Sequence, residues 1–419
     1  MDDLAEQARA WLEANWDPDL LVGEWWEVLG RSGWAVPHWP TDAFGLGLHR
    51  DAARIVANEI RAVGALGPPA GLGLLLAGPT IVAHGSEEQK ERYLDPIVTG
   101  KESWCQLFSE PNAGSDLAGL QCRADRDGDL WRINGQKVWT SGGHMADLGM
   151  LLVRTDPEVP KHRGISYFAI EMDQPGIDVR PLREMTGHAL FNEVFLDEAE
   201  ARDEALIGGL DNGWAVANTT LANERAGLGA GGVGAAAAAS PGSKIGHLER
   251  RAGDFAAGPA PQRVMSGTRG IDQLIALADR RDKLADPVLR DRLMRLHSYH
   301  EIARYTALRS KAAKAAGRGP GPEANTAKLA MSRITRLQRE LSLAVLGPHG
   351  TLFGRDAPDG GISVGMALFS PAVSIYGGSD EILRTISGER VLGLPGEPRV
   401  DQDLPVSQLP ENLRGGSPG

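Results

Sequence analysis

The feature that most limits the fold is a change of hydrophobic period that happens twice along the chain. Up to about residue 102 apolar residues recur every three to four positions, as on one face of a helix. From Ser103 to about Glu198 they sit in short β-rich runs broken by turn residues, and from Gly213 the helical period returns. The order is helical, then β, then helical, an α+β architecture. Expected boundaries are 1–102 for an N-terminal helical domain, 103–205 for a middle β-domain, 206–395 for a C-terminal helical bundle and 396–419 for an unstructured tail.

Local signals fill in the elements. Leu4, Ala8, Trp11 and Leu12 mark a first helix that stops near Pro18, and Glu24 to Leu29 a second. Further helices are expected from Asp51 to about Leu66 and from Ser86 to Val98, with Ser86 as N-cap before Glu87 and Glu88. In the middle, Asp127-Gly128 and Asn134-Gly135 are hairpin signals between β-rich runs. Strands follow at 149–154, 165–171, 177–181 and 192–196, suggesting a small antiparallel barrel or sandwich. Later, Asp286-Pro287 opens a helix carrying Leu289, Leu293, Leu296 and Ala303. Ala330, Ile334, Leu337 and Leu341 form another stripe, closed by Gly347 and Pro348. Residues 235–270, rich in Ala, Gly and Pro, read as containing a loop, and the polar chain after Pro395 as disordered.

Composition excludes several classes of function. With 44 Lys+Arg against 55 Asp+Glu the net charge is -11, which repels a phosphate backbone, so no nucleic-acid partner is expected. The most apolar stretch, Gly71 to Ala83, falls short of the ~20 residues that span a bilayer, and acidic Met1-Asp2-Asp3-Leu4 lacks the basic start of a signal peptide. Two cysteines, Cys105 and Cys122, fit a reducing compartment and cannot by themselves make a four-ligand zinc site. A soluble, cytoplasmic protein without membrane insertion is expected.

Two neighbouring motifs carry chemistry. Phe108-Ser109-Glu110-Pro111-Asn112-Ala113-Gly114-Ser115-Asp116 offers hydroxyls, a small residue and successive amides able to cradle an anion. One hairpin later, Gly135-Gln136-Lys137-Val138-Trp139-Thr140-Ser141-Gly142 places an indole and a hydroxyl two residues apart, on one face of a strand, where they could flank a flat cofactor. The plainer alternatives are a polar loop and a core aromatic.

Together the two motifs resemble the acyl-CoA dehydrogenases. A third, Ser374-Ile375-Tyr376-Gly377-Gly378-Ser379-Asp380-Glu381-Ile382-Leu383-Arg384 followed by Gly388-Glu389-Arg390-Val391-Leu392-Gly393-Leu394-Pro395, is similar to that family's C-terminal signature. The resemblance covers roughly residues 1–395. It implies a helical domain, a β-barrel-like domain and a four-helix bundle, with FAD as cofactor and an acyl-CoA thioester as substrate. It also implies an electron-transfer flavoprotein as electron acceptor, a homodimeric or homotetrameric assembly or a hetero-oligomer, and no metal. By position it assigns Phe108, Ser109, Gly114, Ser115, Trp139 and Ser141 to the cofactor, with Ser379 and Glu381 toward its adenosine half. Glu381 is an acid where other members carry an amide. Ser115, Arg225 and Tyr376 fall at substrate-binding positions.

The expected catalytic base departs from the commonest pattern. α-Proton removal with β-hydride transfer to flavin N5 needs a desolvated carboxylate facing the α-carbon. Many members place a Glu directly after the C-terminal Tyr; here that position is Gly377. A subset supplies the base from an earlier helix in a Leu-x-x-Glu-Arg context, matched by Leu221-Ala222-Asn223-Glu224-Arg225. Glu224 is therefore the expected base, with the Gly377 amide in an oxyanion-hole role. The family's Arg-x-x-Phe-Gly stretch is not matched at His247–Phe255, where Arg250 or Arg251 stands in its place or FAD binding is incomplete. The rival expectation is a non-catalytic or half-active subunit of a mixed oligomer, and oxygen chemistry on the same scaffold is a third. Gly227-Leu228-Gly229-Ala230-Gly231-Gly232 matches a dinucleotide-binding turn but lies in a helical pattern, and His297 and His300 read as ordinary helix histidines.

Overall fold

The computed structural model describes residues 2–229, 239–256, 271–318, 323–396, 401 and 403–409. Helices α1 (Asp2–Asn15), α2 (Val22–Arg31), α3 (Asp51–Val63), α4 (Gly78–His84) and α5 (Glu87–Val98) come first. As the period requires, Ala8 and Leu12 of α1 are buried against Trp25, Trp26, Leu29, Val56 and Ile60. Both tryptophan N–H groups donate to carbonyls, Trp25 to Leu66 at 2.7 Å and Trp26 to Gly67 at 2.8 Å, so neither indole is buried unsatisfied. Ser86 caps α5 in a box with Gln89. The apolar stretch from Gly71 forms a π-helical turn, Gly73–Ala77, running into α4. No helix among the described residues is long and apolar enough to cross a membrane.

Seven strands come next: β1 (Trp104–Leu107), β2 (Arg123–Asp127), β3 (Leu130–Ser141), β4 (Leu148–Arg154), β5 (Ile165–Glu171), β6 (Ile177–Leu182) and β7 (Phe191–Arg202). They form one sheet in the order β1-β4-β2-β3-β7-β6, with β5 on the other edge of β4. β4 is buried at every position. Leu148, Met150 and Leu152 enter one core and Leu151 and Val153 another, so the sheet is covered on both faces.

The hairpin signals divide. Asp127-Gly128 leads into the hairpin: Asp127 pairs with Leu130, and Gly128 and Asp129 form the two-residue turn joining β2 to β3. Asn134-Gly135 does not turn: it lies inside β3, where the register against β7 shifts between Ile133 and Gly135. Gly135 has φ +153, and a Cβ there would lie 2.7 Å from Cys122 Cα, so glycine is required by close approach and a bulge.

Helices α6 (Gly213–Gly229), α7 (Ala252–Ala256), α8 (Ile271–Arg280), α9 (Pro287–Ala315), α10 (Glu323–Leu346), α11 (Ile362–Phe369) and α12 (Asp380–Arg390) complete the chain. The Asp286 carboxylate accepts from the Val288 and Leu289 amides at the start of α9. Two compact units result: Met1–Glu184 with Ala189–Gln262 and Arg399–Gly419, and Met185–His188 with Arg263–Pro398. In the first, α6 lies against α4, the π-turn and β5. In the second, α8, α9 and α10 share a core of Leu274, Leu277, Leu293, Leu296, Leu341 and Val345. Residues 230–232 of the glycine-rich run lie outside the described residues.

The tail expectation is corrected for residues 403–409. Val406 and Leu409 are 5% and 2% exposed, because two apolar side chains three apart suffice to dock a polar segment whose amides find carbonyl partners.

Asp147, at the entry to β4, accepts from the Ser103 amide at 2.8 Å, the Ser103 hydroxyl at 2.7 Å and the Ser243 hydroxyl at 2.6 Å. Burial alone would raise its pKa, but these donors outweigh it and hold it below the ordinary 3.8. A depressed carboxylate stabilises the fold above its unfolded pKa, and that contribution is lost as pH falls below it. Asp147→Asn is expected to cost about 1.5–3 kcal/mol in urea denaturation at pH 7. The gap to the parent should narrow as pH falls below 3.8.

Candidate active site

β1 and β2 both run parallel to the same edge of β4, β1 beside 148–151 and β2 beside Arg154. Residues 108–122 therefore leave and rejoin the sheet over a gap of three strand positions, about 10 Å. The loop must project, and its polar backbone groups need partners. Three cations brace it, two of them on backbone carbonyls. Lys137, fully buried, donates to Glu110 Oε1 at 2.7 Å and to the Phe108 carbonyl at 3.2 Å. Glu110 in turn accepts from the Gln121 and Cys122 amides at 2.6 and 2.9 Å. Arg154, at the gap itself, donates to the carbonyls of Ala118, Leu120 and Lys161, and burial pulls its pKa down to about 10. Lys161 binds both carboxylate oxygens of Asp116.

This bracing decides which loop groups face out. Phe108 is buried edge-on to Tyr167, whereas Asn112, Gly114, Ser115 and Asp116 are exposed. A Cβ on Gly114 would meet nothing within 4 Å, so the backbone there is open to approach. Ser109 is half-buried and its carbonyl accepts from the Val138 amide at 2.9 Å, tying loop to strand.

Trp139 is not a core aromatic: it is 61% exposed, the ring edge-on to Phe191 at 5.9 Å. It sits at a second bulge, between Lys137 and Thr140, with φ +62, a left-handed conformation that costs a non-glycine residue of order 1–3 kcal/mol. The bulge, and not simple alternation, presents the indole beside exposed Ser141. Buried Thr140 Oγ1 and Asn192 Nδ2, on opposed residues next to it, have no partner. Exposed indole, exposed hydroxyls and open amides together offer a flat apolar surface next to anion-binding donors.

Glu224 lies on α6, which hydrogen bonds fasten to α4: Thr80 to Thr220 at 2.9 Å and His84 to Thr219 at 2.7 Å. The half-buried Glu224 carboxylate lies 3.5 Å from Gln106 Nε2, on β1 two residues before Phe108. Candidate base and exposed loop thus belong to one unit. The Arg225 side chain lies outside the described residues.

The C-terminal motif has a local structural logic. Gly377 has φ +63, a conformation in which a Glu would be strained, and Gly378 follows at +89. Ser379 then caps α12, accepting from the Ile382 amide at 3.3 Å. Asp380, which the motif reading did not single out, is buried and accepts from Ser332 at 2.7 Å and Arg336 at 2.8 Å. Glu381 is exposed beside Arg384 at 3.2 Å. Tyr376 lies under the Lys328 ammonium, its pKa raised by burial. Arg250 covers the Phe255 ring and Arg251 pairs with Asp19, so both guanidiniums have partners within their own unit.

Sequence models for the acyl-CoA dehydrogenase N-terminal, middle and C-terminal domains match residues 1–101, 105–198 and 258–392. Acyl-CoA dehydrogenase FadE34 of Mycobacterium tuberculosis is 36% identical over 88% of this chain, which spans 46% of that relative's length. Acyl-CoA dehydrogenase IpdE1 of the same organism is 36% identical over 89% of this chain and 88% of its own. A solved structure titled Tcur3481-Tcur3483 steroid ACAD superposes with a TM-score of 0.71 at 26% identity, covering 94% of this chain and 98% of its own.

Sequence reasoning passed over Lys137 and Glu110 as working residues, although a lysine at an inward position of an apolar strand is a signal that it has a buried partner. Lys137→Met is expected to cost about 3–5 kcal/mol in urea unfolding, because it strands a buried carboxylate. Lys137→Met with Glu110→Gln should recover part of that loss.

Proposed function

The chain belongs to the acyl-CoA dehydrogenase family, whose members are FAD-dependent flavoproteins, and on that footing we propose that it desaturates an acyl-CoA thioester between its α and β carbons. The carrying observation is that Glu224 projects from a fastened helix to within 3.5 Å of Gln106, on the strand that leads into the Phe108–Asp116 loop. The residues present fit FAD: exposed Trp139 offers a ring face on the strand that also carries Ser141, open Gly114 and Ser115 offer phosphate donors, and buried Phe108 backs the loop against Tyr167.

Glu224 takes the α-proton, and its carboxylate is the only base the reading requires. Held at Gly114, Ser115 and the Trp139 face, FAD would supply the hydride acceptor for the β-carbon, and an electron-transfer flavoprotein would take the electrons onward. Trp139, held by Phe191, keeps the ring face defined, while the substrate-binding roles of Ser115, Arg225 and Tyr376 rest on the family resemblance alone. Gly377 adopts its left-handed conformation without strain, and its oxyanion-hole role rests on the family resemblance alone. Ser379 caps α12 and Glu381 is exposed beside Arg384, so the adenosine role of both rests on the family resemblance alone.

A second reading, a subunit of a mixed oligomer, is favoured by the two-part name of the structural relative and by Val288, Met294, Ile302, Tyr305 and Leu308, exposed along α9. The word steroid in that name makes polycyclic acyl-CoAs the first substrates to try. Glu224→Gln is expected to keep FAD and to lose flavin reduction by at least about a hundredfold in anaerobic stopped flow, the size of a general-base contribution. Near-parental reduction would overturn the assignment. A parent that reduces only when co-purified with a homologous chain would favour the second reading.

A further inference from the structure

We propose that Lys161 is a positioning residue for the Phe108–Leu120 loop, and that Asp401 and residues 403–409 act through it as a C-terminal strap that couples docking of the tail to retention of FAD. This rests on the assignment of that loop to FAD.

Lys161 is 5% exposed, between two carboxylates that are distant in sequence. Its ammonium meets Asp116 Oδ1 and Oδ2 at 3.0 and 2.8 Å and, with its remaining donor, Asp401. Burial by itself lowers its pKa; the two carboxylates more than offset this and hold it above its usual value. Asp116 directly follows Ser115, so Lys161 fixes the end of the exposed stretch. A second link runs through Arg154, which donates to the Lys161 carbonyl at 3.1 Å and to Ala118 at 2.7 Å.

The tail lies along the segment that ends in Lys161. The Val406 amide donates to Val159 at 3.3 Å, the Ser407 amide to Pro157 at 3.0 Å and the Ser407 hydroxyl to Glu158 at 2.8 Å. A bridge pairs Pro160 with Pro405, and Val406 and Leu409 are buried. Removing Asp401 leaves a buried ammonium one acceptor short, and undocking Val406 exposes the segment that carries it. Either change loosens the loop on the side that faces the cofactor.

The test compares full-length parent, Asp401→Asn, Val406→Asp, Lys161→Met and Lys161→Arg, reading FAD dissociation constants by flavin fluorescence and tail cleavage by limited proteolysis with and without FAD. Asp401→Asn, Val406→Asp and Lys161→Met are expected to weaken FAD binding roughly tenfold, within the usual range of such couplings, with Lys161→Arg closest to the parent. Reciprocity requires FAD to slow cleavage within 403–409 in the parent and to lose that effect in Asp401→Asn. A parent that binds flavin, with Asp401→Asn and Val406→Asp within twofold of it, overturns the strap alone. A parent that binds no flavin overturns the functional assignment and the strap with it.

Discussion

The buried pair of Lys137 and Glu110 is the interaction on which the projecting 108–122 loop of the first unit depends. The chain leaves one edge of β4 at Leu107 and returns to it at Arg123, so everything between must stand away from the sheet. Projection alone would give a floppy loop. Glu110 turns the excursion inward by accepting two backbone amides, and Lys137 neutralises it from β3 at a position fully shielded from water. Such a pair gains little over an apolar substitute in total stability, but it fixes geometry, because either partner alone would be a stranded charge.

That anchoring divides labour along a short stretch of chain. Phe108 and Ala113 go into the core, while Asn112, Gly114 and Ser115 are left facing out. On β3 the same Lys137 is the last regular position before the bulge that turns Trp139 outward in a strained conformation. Strain of that kind persists only where the surroundings over-determine it, and here the surroundings are the ion pair on one side and the Thr140–Asn192 pairing on the other.

Much of the fold was legible in the sequence because it rests on local rules. Ser86 and Asp286 cap helices from their own first turns, and Gly128 turns a hairpin from within it. β4 could be read as a strand from its apolar run alone. The motifs that resemble the acyl-CoA dehydrogenases were legible for the same reason, being contiguous stretches whose spacing carries their geometry. Where the local rule failed, a tertiary contact had overridden it. Asn134-Gly135 has the composition of a turn, but Cys122 lies where a side chain would be, and the strand carries on through a bulge.

The sequence by itself determined the order of helical and β regions, the caps and turns, and the residues Phe108, Ser115, Trp139, Glu224 and Gly377 as those worth asking about. Only the tertiary structure decided that Trp139 faces outward, that Glu110 and Lys137 pair across 27 residues, and that Lys161 meets Asp401 across 240. The physical reason is the range of the information. A cap or a turn is specified by residues within one turn of each other, whereas a buried charge is specified by whichever distant segment brings its counterion, and no periodicity in the chain records that.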